Sequence, residues 1–350
     1  VDEALNILLL KKKKKLTDDE KKILEEKDPI EVFEDHFKYA TIKKDVGPED
    51  ISTSQYMDYY KSDFNPELLF DEDYVDLKVF MVVSGYVDVD QELLLDTTKL
   101  KKYLEKDKKI DPIDLFDNLM DKIKNKDDIS LTDKCFINYS SWLSLRRKGH
   151  LLIETYEKEV LPQIKVVHSI QKRVNLPNDL GDTLVGVIDL ECEFVGKKGI
   201  FTTDNKTSST KYKESEIYEK QQLVIYDEYT ENGQVAYIVL QKKPKLIKYK
   251  KCDSCDHEDT SKKRKCPKCG GNLEVYQVEP YVEWDIITKT LEDNKKDLVF
   301  DEISAILEEI KDCVEMDFFS KDTNNCMAYG KKCPFYSLCH LNSNSGITDK

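Results

Sequence analysis

Three side chains in one short stretch have the types needed for joint chemistry: Asp189 in Gly186-Val-Ile-Asp-Leu190, and Asp204 with Lys206 in Thr202-Thr-Asp-Asn-Lys-Thr207. Two carboxylates held together repel unless a cation lies between them, and a hard divalent ion such as Mg2+ takes oxygen ligands. A lysine beside such an ion can position or deprotonate an attacking water, or stabilise charge developing on a phosphate; this equips the trio for metal-assisted hydrolysis. Glu191 shares the expected face of Asp189 and can reach the same ion. Cys252-x-x-Cys255 and Cys266-x-x-Cys269, the second closed by Gly270-Gly271, have the spacing of a tetrahedral zinc ribbon. Four thiolates leave no open position for water, so that site is expected to be structural. Cys326, Cys333 and Cys339 form a third group, one ligand short of four, which Cys135 can complete; a second zinc with His340, or reduced cysteines packed as small hydrophobes, are the alternatives. Cys192 reads as a core residue, and Cys313 has no assignment.

The elements that must position the trio follow from hydrophobic spacing. Ile164 to Leu176, Thr183 to Phe194, Ile200 to Thr207 and Ala236 to Leu240 read as strands, with Gly196 to Gly199 as a turn. If Val195 pairs with Ile200, Asp189 lies opposite Lys206 and diagonal to Asp204 on one face. Ile188, Leu190, Cys192 and Phe194 then join Phe201 on the apolar face. A helix from Trp142 to Leu161, stopped by Pro162, precedes the strands, and Glu214 to Tyr229 returns to helical spacing. The order of helix, strands, helix and strand predicts an α/β or α+β core. Residues 1 to 130 read as a mainly helical N-terminal region with a capping box at Thr17 and Glu20. The core is expected over 131 to 245, the ribbon over 246 to 275, and completion of the core with a cysteine-bearing tail over 276 to 350.

The chain carries 69 Asp and Glu against 55 Lys and Arg, a formal net charge of -14, which argues against a general nucleic-acid coat. Cations are nevertheless concentrated around the cysteines, at Lys242, Lys243, Lys245, Lys248, Lys250 and Lys251 before the first pair and Lys262 to Lys265 between the pairs. This is the expected DNA-contacting patch; its bland alternative is a zinc staple with solvated lysines. The Lys11 to Lys15 run reads as a solvated helix face. The order of apolar and basic residues at the start does not fit a secretory signal, the missing initiator Met suggests a fragment or processed chain, and no run is apolar enough to span a bilayer, so a cytoplasmic protein is expected. Closely spaced cysteines in such a chain argue for metal over disulfides.

Asp189 in GVIDL, Asp204-Asn205-Lys206 in TTDNKTSS, and Gln222-Leu-Val-Ile-Tyr226 on the following helix resemble, in that order, the PD-(D/E)XK nuclease superfamily in its RecB-like and bacteriophage exonuclease branches. The resemblance implies a restriction-endonuclease-like core with a central mixed sheet flanked by helices. It implies that Asp189 and Asp204 bind Mg2+ or Mn2+, that Lys206 serves catalysis, and that Gln222 and Tyr226 hold the DNA backbone. It also implies an acidic residue on the preceding helix: Glu154 first, with Glu157 and His150 sharing its face. Iron-sulfur nucleases of the superfamily join one early cysteine to three late ones, as Cys135 would join Cys326, Cys333 and Cys339. The expected reaction is DNA phosphodiester hydrolysis, exonuclease action ahead of endonuclease, in phage or bacterial recombination, repair or genome processing, with helicase, recombination or replication proteins as partners. The competing readings are a non-catalytic DNA-binding adaptor that uses the ribbon and a structural interaction module. For Asp189, Asp204 and Lys206 the bland reading is a cross-strand charge set; for Gln222 and Tyr226 it is a buried aromatic capped by an amide.

Overall fold

The computed structural model describes residues 1–37, 65–69, 71–89, 91–94, 96–125, 129–177, 183–261 and 263–316. Lys262, Cys326, Cys333, Cys339 and His340 lie outside the described residues. The chain forms two compact units, Val1–Leu176 with Leu184–Leu291, and Pro177–Thr183 with Glu292–Lys350.

The first unit begins with helices α1 (Asp2–Leu10), α2 (Asp18–Glu26) and α3 (Pro29–His36), followed by a 3-10 turn at Pro66–Leu68. Helices α4 (Asp71–Val83), α5 (Gln91–Leu94), α6 (Thr97–Lys106), α7 (Pro112–Lys124) and α8 (Leu131–Thr155) follow. At the starts of α2, α3, α6, α7 and α8, side-chain oxygens take amide protons that a first turn leaves unpaired. Thr17 and Glu20 close a capping box, and Asp28, Asp96 and Asp111 cap α3, α6 and α7. The helix expected from Trp142 already starts at Leu131, because Ser130 and Asp133 close a second capping box. Beyond Thr155 it widens into a π turn, Tyr156–Val160, and tightens into a 3-10 turn, Leu161–Gln163, at whose start Pro162 needs no amide proton.

Strands β1 (Ile164–Pro177), β2 (Thr183–Phe194) and β3 (Phe201–Ser208) come next. Two short helices, α9 (Glu216–Glu219) and α10 (Gln222–Thr230), then lead to β4 (Gln234–Gln241). The chain continues through β5 (Lys245–Cys252), β6 (Glu258–Asp259), β7 (Leu273–Tyr281) and β8 (Trp284–Thr290). Among the described residues one sheet has the order β1-β2-β3-β4-β8, with β2 antiparallel to β3, β3 parallel to β4, and β4 antiparallel to β8. A mixed α/β architecture is therefore present. The second sheet, β6-β5-β7, is antiparallel and rises between β4 and β8, which pair with each other.

One apolar core lies under the large sheet, where α1, the end of α8 and the π turn cover Leu190, Cys192, Phe194 and Phe201. A second joins α4 and α7 to the first half of α8 through Leu77, Phe116, Leu119, Phe136 and Ile137. The Lys11 to Lys15 run is not a helix face: Val167 N donates to Lys12 O at 3.0 Å and Lys14 N to Val167 O at 3.1 Å, so the run lies alongside β1. Lys11 reaches Glu157 at 2.6 Å, and Lys13 pairs with Glu20. In the second unit, helix α11 (Asp293–Glu315) buries Val299 and exposes Leu298, Ile306, Ile310 and Val314. Among the described residues no helix is long and apolar enough to cross a membrane.

The close approach of α3 to α8 depends on Gly149, where an added Cβ would come within 2.1 Å of the Phe33 ring. Phe33 is buried, stacked on Phe37 and set edge-on to His150, so it has little room to yield. Gly149→Ala is expected to destabilise the fold by about 1–3 kcal/mol through overpacking, measured as a lower urea midpoint with an unchanged slope.

Candidate functional site

The ladder between β2 and β3 places the two aspartates. Cys192 pairs with Phe201, Glu191 with Thr202 and Leu190 with Thr203, which brings Asp189 level with Asp204, two residues away from the expected pairing with Lys206. The shift arises at the turn. Val195 N donates to Gln163 O at 2.8 Å, leaving no amide for Ile200, and Gly196 and Gly199 adopt positive φ to close the longer connection. The face assignment survives because a slip of two residues preserves side-chain alternation.

The backbone ladder ends at Leu190 and Thr203; beyond it, Asn205 N donates to Asp189 Oδ2 at 3.0 Å. The strands thus part where the carboxylates meet. Gln171, held at φ +50 on β1, donates from Nε2 to the other oxygen of Asp189 at 3.2 Å. On the core side, the buried Tyr156 hydroxyl donates to Asn205 Oδ1 at 3.2 Å. Sequence reasoning missed both residues. The positive φ of Gln171 leaves no trace in residue type, and Tyr156 reads as an ordinary member of an apolar helix.

Asp204 is only 2 % exposed, with Lys206 Nζ 2.6 Å from Oδ2. Gln222 joins the parts: Oε1 accepts from Lys206 Nζ at 3.1 Å, while Nε2 lies 3.3 Å from Asp204 Oδ1 and 3.1 Å from the Tyr226 hydroxyl. Burial pushes the Asp204 carboxyl up to about 6; Lys206 opposes the rise and neighbouring Asp189 adds to it. Gln222 reaches this position because Gln221 takes φ +56, which breaks the single helix expected over Glu214 to Tyr229 into α9 and α10. Tyr226 packs its ring over Gly186, where a Cβ would come within 2.5 Å of Cε1. On β4, Tyr237 is level with Asp204 and its buried hydroxyl has no hydrogen-bond partner among the described residues.

The structure brings Asp189, Asp204, Lys206, Gln222 and Tyr226 together. Comparison with protein-family models, curated proteins and solved structures finds no match. The other expected carboxylates and His150 are engaged with partners outside this group. Glu154 pairs with Arg147 on its own helix at 3.0 Å and with Lys158 on the π turn at 3.8 Å; Glu157 pairs with Lys11, and His150 with Glu34 at 2.5 Å. Glu191, though buried on the expected strand, accepts from Ser169 Oγ at 2.5 Å and pairs with Lys172 at 3.0 Å.

The sulfurs of Cys252, Cys255, Cys266 and Cys269 all lie within 4.8 Å of one another and can hold a metal ion. Cys252 and Cys269 approach to 3.4 Å, and Cys255 and Cys266 to 3.6 Å. Backbone amides of Ser254, Lys268 and Gly271 donate to Cys252, Cys266 and Cys269, each at 3.4 Å, turning each knuckle around its sulfur. Cys135 is half-buried on α8, while its three expected partners fall outside the described residues. Cys192 sits in the core, as its apolar surroundings predicted.

The raised Asp204 carboxyl has a consequence for stability. Folded chains keep this proton to about pH 6 and unfolded chains release it near the ordinary aspartate value, so folding binds more protons between the two. Stability therefore falls as pH rises through that window, and the penalty is complete above it. In metal-free buffer at pH 8, Asp204→Asn should raise the unfolding free energy by on the order of 2 kcal/mol, with the gain vanishing below pH 4 in denaturant titrations.

Proposed function

We propose that the protein is a metal-dependent DNA nuclease that hydrolyses phosphodiester bonds, with exonuclease action preferred. The observation that carries this reading is the meeting of Asp189 and Asp204 where β2 and β3 part, beside Lys206 and Gln222. The mixed sheet, with a long helix before it and two short ones between β3 and β4, agrees with the core that the motif resemblance implies.

The donor set fits a hard divalent ion. Two carboxylates on adjoining strands supply oxygen ligands, and the buried charge of Asp204 gains from a cation. Mg2+ or Mn2+ bound there would supply Lewis acidity toward a phosphoryl oxygen. The residues of the chain do the remaining work. Gln171 and the Asn205 amide fix Asp189, and Gln222 orients Lys206 against Asp204. The Lys206 ammonium is then positioned to stabilise charge on the phosphate as water attacks. Glu154 would need to leave Arg147 and Lys158 to contribute. The four-cysteine site is read as structural zinc, because four soft thiolates suit that ion and complete its tetrahedron.

Purified protein incubated with end-labelled linear DNA and with circular DNA should cleave in Mg2+ or Mn2+ and stop in their absence. Lys206→Ala and Asp204→Ala should each lower the rate by roughly 10²-fold or more. Binding without cleavage, unchanged in both variants, would replace this reading with the DNA-binding adaptor. Elemental analysis should find one zinc per chain, with Cys266→Ser losing it and unfolding the ribbon at lower temperature.

A further inference from the structure

Residues 242 to 272 carry 11 Lys and Arg against 4 Asp and Glu, within a chain of net charge -14. Even with four thiolates around one divalent ion, the segment remains cationic. The sheet of the ribbon sorts this charge between its faces. The pairings Tyr249↔Gln277 and Lys250↔Val275 put the irregular extra residue, Tyr276, on β7, so β5 alternates regularly. Lys248 and Lys250 therefore share a face with their partners Val278 and Val275.

Val275 and Val278 remain 48 % and 44 % exposed beside these lysines. Lys250 Nζ donates to Ser261 O at 2.8 Å and Lys263 O at 2.7 Å, which ties the exposed Lys263, Arg264 and Lys265 stretch to the same side. Asp259, level with Lys250, accepts from Ser261 N through Oδ1 at 2.6 Å. The opposite face is of another kind. Lys251 pairs with Asp256 at 3.0 Å and is level with Glu258 and Glu274, while Ile247 is level with Glu279. Carboxylates neutralise the lysine there and would repel a polyanion.

We infer that the ribbon face bearing Lys248, Lys250, Val275 and Val278, together with Lys263 and Arg264, is the surface on which a DNA backbone lies, and that the face of Lys251 is turned away from it. The choice of DNA as the polyanion rests on the nuclease reading; the choice of face rests on the charge sorting alone. Phosphates meet the cations, and the valines offer apolar contact to sugars. Of the lysines expected from sequence to touch DNA, this assigns Lys248 and Lys250 to the interface and removes Lys251.

The test is fluorescence anisotropy with labelled single-stranded and duplex oligonucleotides in Ca2+ without chelator, across a salt series. Lys248→Glu and the pair Lys263→Glu with Arg264→Glu should weaken binding about tenfold or more and flatten the salt dependence by about 0.9 per lost phosphate contact, whereas Lys251→Glu should not. Retained zinc in every variant keeps the comparison fair. Equal loss in Lys251→Glu, or no loss in the other variants, would overturn the face assignment. Cleavage in Mg2+ with neutral ribbon variants would sink this inference and leave the nuclease standing. Face-specific binding without cleavage would do the reverse, and no DNA binding at all would overturn both.

Discussion

Everything at the site depends on one interruption in the backbone ladder. Where β2 and β3 cease to pair, the Asp189 carboxylate takes the Asn205 amide that a strand carbonyl would otherwise accept. A buried amide left unpaired costs more than the bond it forfeits, so the strands can part only because a side chain substitutes for the ladder. The same side chain is thereby fixed level with Asp204. Opening the sheet and presenting the carboxylate are a single structural event.

Asp204 shows what this arrangement costs. Its carboxyl is buried, lies near another acid, and is only partly compensated by Lys206 and the Gln222 amide. A sequence selected for stability alone would place an amide or an apolar residue there. The buried Tyr237 hydroxyl on the adjoining strand, level with Asp204, has no hydrogen-bond partner among the described residues and adds a second uncompensated polar group beside it.

Strand positions were legible in the sequence because alternation and β-branched runs are local signals; β1, β2 and β4 lie within a residue or two of their expected bounds. The Thr17 and Glu20 capping box and the cysteine knuckles were legible for the same reason, since spacing alone defines them. Register was not. It depended on the Gln163 carbonyl capturing the Val195 amide, a contact across 32 residues that no local pattern records. The break at Gln221 and the Gln171 contribution were hidden for a related reason: each needs a left-handed backbone at a residue that seldom adopts it. Charge runs were the least informative. Lys11 to Lys15 borders a strand, and Lys248 and Lys251 occupy opposite sides of one sheet.

Helix α8 is 25 residues long, about 37 Å of rod, and it belongs to both apolar cores. Phe136 and Ile137 seat one end among the N-terminal helices; Leu152 and Ile153 seat the other beneath the sheet. The π turn follows at once, and its first residue, Tyr156, holds Asn205, whose amide holds Asp189. Mechanically this is a shaft whose working end lies beneath the sheet. Because one helix is seated in both cores, the N-terminal region forms part of the mount on which the aspartates are aligned.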